Sequence, residues 1–294
     1  MTTELRNRLI FGVLLAGVVI GALASDLARG THQGAVVLCL LLGTLASREY
    51  LRLARSGAPG LSWAPLGVTS LALIAEPLLS QLVPNLPWLA ILMGIGLGWM
   101  LVEQLFLRAV EGFFAHIGAG ILGILYVGLP LNLLLHLADQ WVPATYYGYE
   151  GAPVLRGGAL VIVFLAAVKM GDIAAFFGGK TFGRNKMCPR ISPGKTWEGF
   201  ACSFLGSIGG SYLFSWLCAQ QLGHGPFQGW WQPAIWGLVL GPLGVLGDLA
   251  ESAMKRSAAM KDSGTSMPGF GGVLDILDAL VIAAPVALLL AQVL

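Results

Sequence analysis

Charge is what this sequence has least of. Asp, Glu, Lys and Arg make up 11% of its 294 residues, less than half the share of about 25% typical of soluble domains. That scarcity excludes a soluble enzyme, a charge-rich disordered chain and a coiled coil. Cysteine is also sparse. Cys39, Cys188, Cys202 and Cys218 are scattered and form no C-x-x-C pair, which leaves no basis for a disulfide framework or a thiolate zinc site. His116 and His136 stand alone in apolar surroundings, as packed histidines do. The apolar runs are continuous and do not alternate residue by residue, which disfavours a transmembrane barrel. A net charge of +2 gives no ground for a nucleic-acid partner.

What the chain does have is apolar length. Hydrophobic residues account for 56% of it, with 41 glycines besides, and the mean hydropathy is +0.77. Long runs lie near 9–27, 34–54, 64–82, 88–107, 113–138, 157–177, 200–222, 233–253 and 276–294. A hydrocarbon core about 30 Å thick takes about 20 residues of helix, so the runs predict an all-α polytopic membrane protein with about nine transmembrane helices. The first run follows Arg6 and Arg8 and is read as a retained helix, not a cleaved signal peptide. Alternate loops then sort the 17 Lys and Arg residues by side. Arg29 and Arg156 fall in outer loops, Lys169 falls inside the sixth run, and every other basic residue falls in segments on the side of the N-terminus. The positive-inside rule places that side in the cytoplasm, with the C-terminus outside.

The two halves differ in kind. Residues 1–150 read as a scaffold of transmembrane helices. Residues 151–294 hold two polar cytoplasmic connections rich in Gly, Pro and charge, and long polar connections between packed elements usually carry function.

In the later connection, Asp248, Glu251, Ser252 and Lys255 recur at helical spacing and share one stripe that begins inside an apolar run. A carboxylate at membrane depth costs about 2.5–3.5 kcal/mol on insertion scales. A helix-surface ion pair returns only a few tenths of a kcal/mol, so the stripe predicts a polar site. Pro268-Gly269-Phe270-Gly271-Gly272 follows, a segment that prevents a helix and lets backbone approach a ligand. Asp275 and Asp278 then stand one turn apart at the start of the last run. Two like charges so placed repel unless a cation lies between them. An all-carboxylate set, which Asp248 could complete, suits Mg²⁺ or Mn²⁺ and not zinc.

The earlier connection carries Lys180, Arg184, Lys186, Arg190 and Lys195, a concentration suited to a polyanion or to anionic headgroups. Gly179-Lys180-Thr181 and Gly194-Lys195-Thr196 resemble the end of a P-loop, but that pattern needs a further glycine where Ala174 and Pro189 stand, so a P-loop is rejected. Carboxylates for a divalent cation beside cationic loops for phosphates are the equipment of metal-assisted phosphoryl or nucleotidyl transfer.

The motifs resemble those of the phosphatidate cytidylyltransferases, or CDP-diacylglycerol synthases. That family's signature is matched without gaps by Ser252, Lys255, Arg256, Lys261, Asp262, Pro268, Gly269, Gly271, Gly272, Asp275 and Asp278. An earlier family segment is similar around Asp172, Arg184 and Ile191 to Gly199. Together these cover the last part of the chain; the N-terminal half agrees only in being apolar spans. The resemblance implies the reaction CTP + phosphatidate → CDP-diacylglycerol + pyrophosphate, with Mg²⁺ as cofactor and K⁺ as a co-ion. It also implies a homodimer in contact with membrane lipid, in the cell inner membrane, with its active site facing the cytoplasm. By position it makes Asp248, Asp275 and Asp278 the metal ligands and adds Lys255 to the catalytic set. Substrate binding falls to Arg184, Ser192, Lys195, Thr196, Glu198, Ser252, Arg256, Lys261, Asp262, Gly271 and Gly272. Two positions depart from the family: Phe270 stands where it has histidine, and Ile276 where it has arginine. The alternatives are a secondary transporter relaying ions through Asp172, Asp248 and Lys169, or another membrane CTP-dependent lipid kinase or transferase.

Overall fold

The computed structural model describes residues 17–19, 21–23, 25–26, 31, 33–107, 110–142, 154–223, 225–260, 262–264, 266–267 and 271–294. Most of the expected first span, and Arg6, Arg8, Arg29, Arg108, Lys261, Pro268, Gly269 and Phe270, lie outside these. The chain is mainly helical: α1 (Gln33–Ala54), α2 (Trp63–Ile74), α3 (Glu76–Leu82), α4 (Trp88–Leu107), α5 (Phe113–Gly123), α6 (Leu129–Ala138), α7 (Gly157–Phe182), α8 (Trp197–Leu222), α9 (Gln232–Ser257) and α10 (Leu274–Val293). Two small antiparallel pairs complete it. They are β1 (Trp141–Val142) with β2 (Val154–Leu155), and β3 (Lys186–Cys188) with β4 (Ser192–Thr196).

Among the described residues 7 helices are long and apolar enough to cross a membrane, or up to 8 if the bent pair α2–α3 is one span. Lipid offers no partner to a free peptide group, so each crossing satisfies its backbone internally. The expected runs from 34–54 onward each coincide with helix, with two differences. The run at 64–82 is broken, α2 and α3 meeting at 57°. Pro77 has no N–H for the Leu73 carbonyl, and that carbonyl accepts the Asn132 side-chain amide at 2.9 Å instead. The same amide donates to Glu76 at 3.1 Å. The run at 113–138 is continuous but widens into a π-turn at Ile124–Gly128, just before Pro130, whose missing N–H disrupts regular α pairing.

Two compact units are distinguished. One is built chiefly from Gln33–Leu135 and Met254–Leu277. Its core includes Tyr50, Leu66, Leu73, Ile74 and Leu131, and the Tyr50 hydroxyl donates to the Ala119 carbonyl at 2.8 Å. The other is built chiefly from His136–Ala253 and Asp278–Leu294. Its core includes Phe164, Trp236 and Leu240 beside Ala279, Ala283 and Ala287. Small residues let transmembrane helices approach closely. A Cβ on Gly241 would collide with the Ser207 side chain, and the Ser207 hydroxyl donates to the Gly237 carbonyl at 2.7 Å.

Candidate active site

The second unit holds both a cleft and a carboxylate cluster. α7 runs to Phe182, past the expected end at 177, so Lys180 rides on helix. The chain then turns through the β3–β4 hairpin, which pairs Lys186 with Thr196 and Cys188 with Ser192. Glu198 ties the hairpin's base to α8. Its carboxylate accepts the backbone N–H groups of Arg184 and Asn185 at 3.1 and 3.2 Å, and the Asn185 amide at 2.8 Å. Thr196 is the N-cap of α8, its hydroxyl accepting from the Gly199 N–H at 3.1 Å, which satisfies one of the orphan donors at a helix start.

This arrangement walls a cleft of about 470 Å³, lined among others by Asp172, Lys180, Lys186, Ser192, Lys195, Thr196 and Asp248. Lys195 is fixed at the far wall, where Nζ lies 2.8 Å from an Asp248 carboxylate oxygen and donates to the Val245 carbonyl at 2.8 Å. Lys169 lies 3.7 Å from Asp172, one turn away on α7. Three lysines and a short polar hairpin give the cleft the capacity to neutralise a polyphosphate.

Asp248 also belongs to a second group. Oxygens of Asp248, Glu251 and Asp278 lie within 4.8 Å of one another, and Glu251 and Asp278 are 1% and 5% exposed. Helical spacing brings Asp248 and Glu251 onto one face of α9. Gly247 lets α10 come close: a Cβ there would strike the Asp278 carbonyl oxygen and lie 3.0 Å from the Ala279 Cα. Carboxylates at this separation repel by about 3–4 kcal/mol per pair at an effective dielectric near 20. Lys195 offsets part of that at Asp248. An oxygen-only donor set of three buried or half-buried acids is what a hard divalent cation requires, so the residues fit one.

In the first unit, Asp275 is held by its own partners. Lys255 donates to one carboxylate oxygen at 2.5 Å. Ser263 and the Gly272 N–H both donate to the other at 2.7 Å. Gly271, at φ +94°, forms a bridge with Met267. The left-handed turn suits glycine there. Of the other expected site residues, Ser252 approaches Asp248 at 3.5 Å, while Arg184, Arg256 and Asp262 are exposed. Lys261 lies outside the described residues.

The structure thus gathers Asp248 and Asp278 with a third acid, Glu251, that the sequence reading had placed on the stripe without a ligand role. Lys180 and Lys186, read only as part of a basic stretch, line the cleft. The signal for Glu251 was its i, i+3 spacing from Asp248; Lys180 and Lys186 could be found only once the hairpin was known.

The cytidylyltransferase family matches residues 6–294. A phosphatidate cytidylyltransferase from Brucella suis is 36% identical over 204 residues, covering 64% of this chain and 70% of that protein. One from a Synechocystis species is 34% identical over 271 residues, covering 86% of this chain and 85% of that protein. The uncharacterized protein YnbB of Escherichia coli is 38% identical over 133 residues, covering 45% and 42% of the two chains.

Proposed function

The chain belongs to the cytidylyltransferase family and is a nucleotidyltransferase, and from that premise we propose that it transfers the cytidylyl group of CTP to phosphatidate. The products are CDP-diacylglycerol and pyrophosphate. One observation carries the reading: Asp248 both lines the lysine-rich cleft and belongs to the carboxylate group. A phosphate-binding surface and a cation-binding set therefore meet at one side chain.

In this reading a phosphatidate phosphate oxygen forms a bond to the α-phosphorus of CTP as the bond to the bridging oxygen of pyrophosphate breaks. No side chain need remove a proton, because a phosphate monoester is already anionic near neutral pH. Lys180, Lys186 and Lys195 neutralise the triphosphate and the departing pyrophosphate, an electrostatic and positioning role typical of such transfers. Lys195, anchored on Val245 and Asp248, also fixes the Asp248 side chain. Asp248, Glu251 and Asp278 would hold a divalent cation, Mg²⁺ by its preference for oxygen ligands, which supplies charge neutralisation at the reacting phosphate. The motif match assigns Lys255 to the catalytic set and offers Asp275, which holds Lys255, to the cation, with K⁺ as a co-ion. Ser192, Thr196 and Glu198 serve by shaping the hairpin wall.

The positive-inside distribution supports a cytoplasmic N-terminus, an external C-terminus and nine spans, with catalysis at the cytoplasmic face of the inner membrane. We assign catalysis to residues 151–294 and scaffold and homodimer contacts to residues 1–150. The transporter alternative leaves the family match over residues 6–294 without a role.

The test is incorporation of radiolabelled CTP into lipid by the purified full-length protein. Mg²⁺-dependent CDP-diacylglycerol from phosphatidate is expected. No such product, or a better one from a polyprenol or diacylglycerol acceptor, refutes the assignment.

A further inference from the structure

Glu49 lies on α1, far in sequence from the signature residues, and the reaction as described makes no use of it. It is 6% exposed, although burying a carboxylate is costly unless it is well paired. One oxygen accepts the Leu274 N–H at 2.9 Å. Leu274 opens α10, where the first amides have no partner within the helix. The other oxygen is buried without a hydrogen-bond partner. A Cβ on Gly264 would come within 3.0 Å of the Glu49 Cγ, and one on Gly272 within 2.9 Å of its Cδ. Glu49 therefore sits in a cradle formed by two glycines on either side of the signature loop. Those glycines adjoin the groups that grip Asp275: Ser263 precedes Gly264, and the Gly272 N–H itself donates to Asp275.

We propose that Glu49 is a positioning residue for the transfer reaction: from α1 it clamps the signature loop and the first turn of α10, and so sets the Asp275–Lys255 pair. A cap alone would need only a short polar side chain from the loop itself. A long acid brought from another helix, between glycines that leave no room for side chains, fixes the loop against a distant part of the chain. The inference rests on the proposed activity for its kinetic consequence but not for its structural one.

The experiment compares wild type, Glu49→Gln and Glu49→Ala as full-length protein in lipid nanodiscs. Hydrogen–deuterium exchange is followed over residues 262–276, and steady-state kinetics are measured with CTP and phosphatidate. In Glu49→Ala, exchange at the start of α10 is expected to rise about tenfold or more and kcat to fall by a similar factor, as for loss of a charge-assisted hydrogen bond. KM for CTP should stay within about twofold, since the nucleotide cleft does not include this residue. Glu49→Gln keeps a carbonyl acceptor for Leu274 and is expected to recover most of both losses. Unchanged exchange at α10 in Glu49→Ala overturns the proposal. So does faster exchange that appears equally in α7 and α8, which would make Glu49 a general stability residue. A wild type without lipid product refutes the activity alone, and the exchange comparison still decides the role of Glu49.

Discussion

Replacing Gly247 by alanine adds one methyl group where α9 meets α10. That methyl would strike the Asp278 carbonyl oxygen and lie 3.0 Å from the Ala279 Cα and 3.1 Å from the Asp278 carbonyl carbon. Carbon atoms settle at about 3.5–4.0 Å, so the two helices must part by roughly 0.5–1 Å. Backbone lies on both sides, and no side chain can swing away to absorb the change. Overpacking of this kind costs about 1–3 kcal/mol, which leaves a folded protein. The separation falls between Asp248 and Asp278, whose oxygens lie within 4.8 Å with those of Glu251. A misplacement near 1 Å can reduce a reaction about 100-fold. Gly247→Ala is therefore expected to lower kcat about 100-fold and raise the Mg²⁺ concentration for half-maximal rate, with thermal unfolding shifted only modestly. Gly209→Ala on α8, where a Cβ would meet nothing within 4 Å, serves as control and should stay near wild type. Wild-type kcat and Mg²⁺ dependence in Gly247→Ala would refute the claim that this contact sets the carboxylate geometry.

Lys195→Met removes a cation from the cleft and from Asp248 together; KM for CTP should rise about 10- to 100-fold in a CTP titration, as for loss of a charge-assisted hydrogen bond. Chelation of divalent ions should abolish lipid labelling and added Mg²⁺ restore it, and Glu251→Gln should blunt the restoration. Asp275→Asn leaves Lys255 facing a neutral partner in a largely buried pair, with side chains 13% and 16% exposed. Unfolding should be easier by about 3–5 kcal/mol, and the double substitution Lys255→Met/Asp275→Asn should recover part of that in thermal melts without recovering activity.

The helices were legible because the bilayer demands long apolar runs, and the motif residues because their spacing survives in sequence. Pro77 and Pro130 were visible, but what each does to its helix depends on partners such as Asn132, which no local pattern supplies. Glu251 was readable as part of a stripe, yet its association with Asp278 needs the approach at Gly247. The β3–β4 hairpin was hidden because Ser192-Pro193-Gly194 reads as turn chemistry, not strand. Glu49 was the least accessible: its contact with Leu274 spans 225 positions, and nothing around Glu49 in sequence marks it as different from a juxtamembrane acid.

The glycine-to-backbone seam at Asp278 makes the architecture dependent on its solvent. In water each interior glycine would weaken its helix by about 1 kcal/mol relative to alanine. In hydrocarbon a peptide group has nowhere else to bond, so the segment stays helical before any packing occurs. The bilayer removes the penalty that would otherwise forbid so bare a contact, and the contact in turn leaves no flexible side chains to cushion it. The spacing of Asp248 and Asp278 therefore rests on backbone meeting backbone.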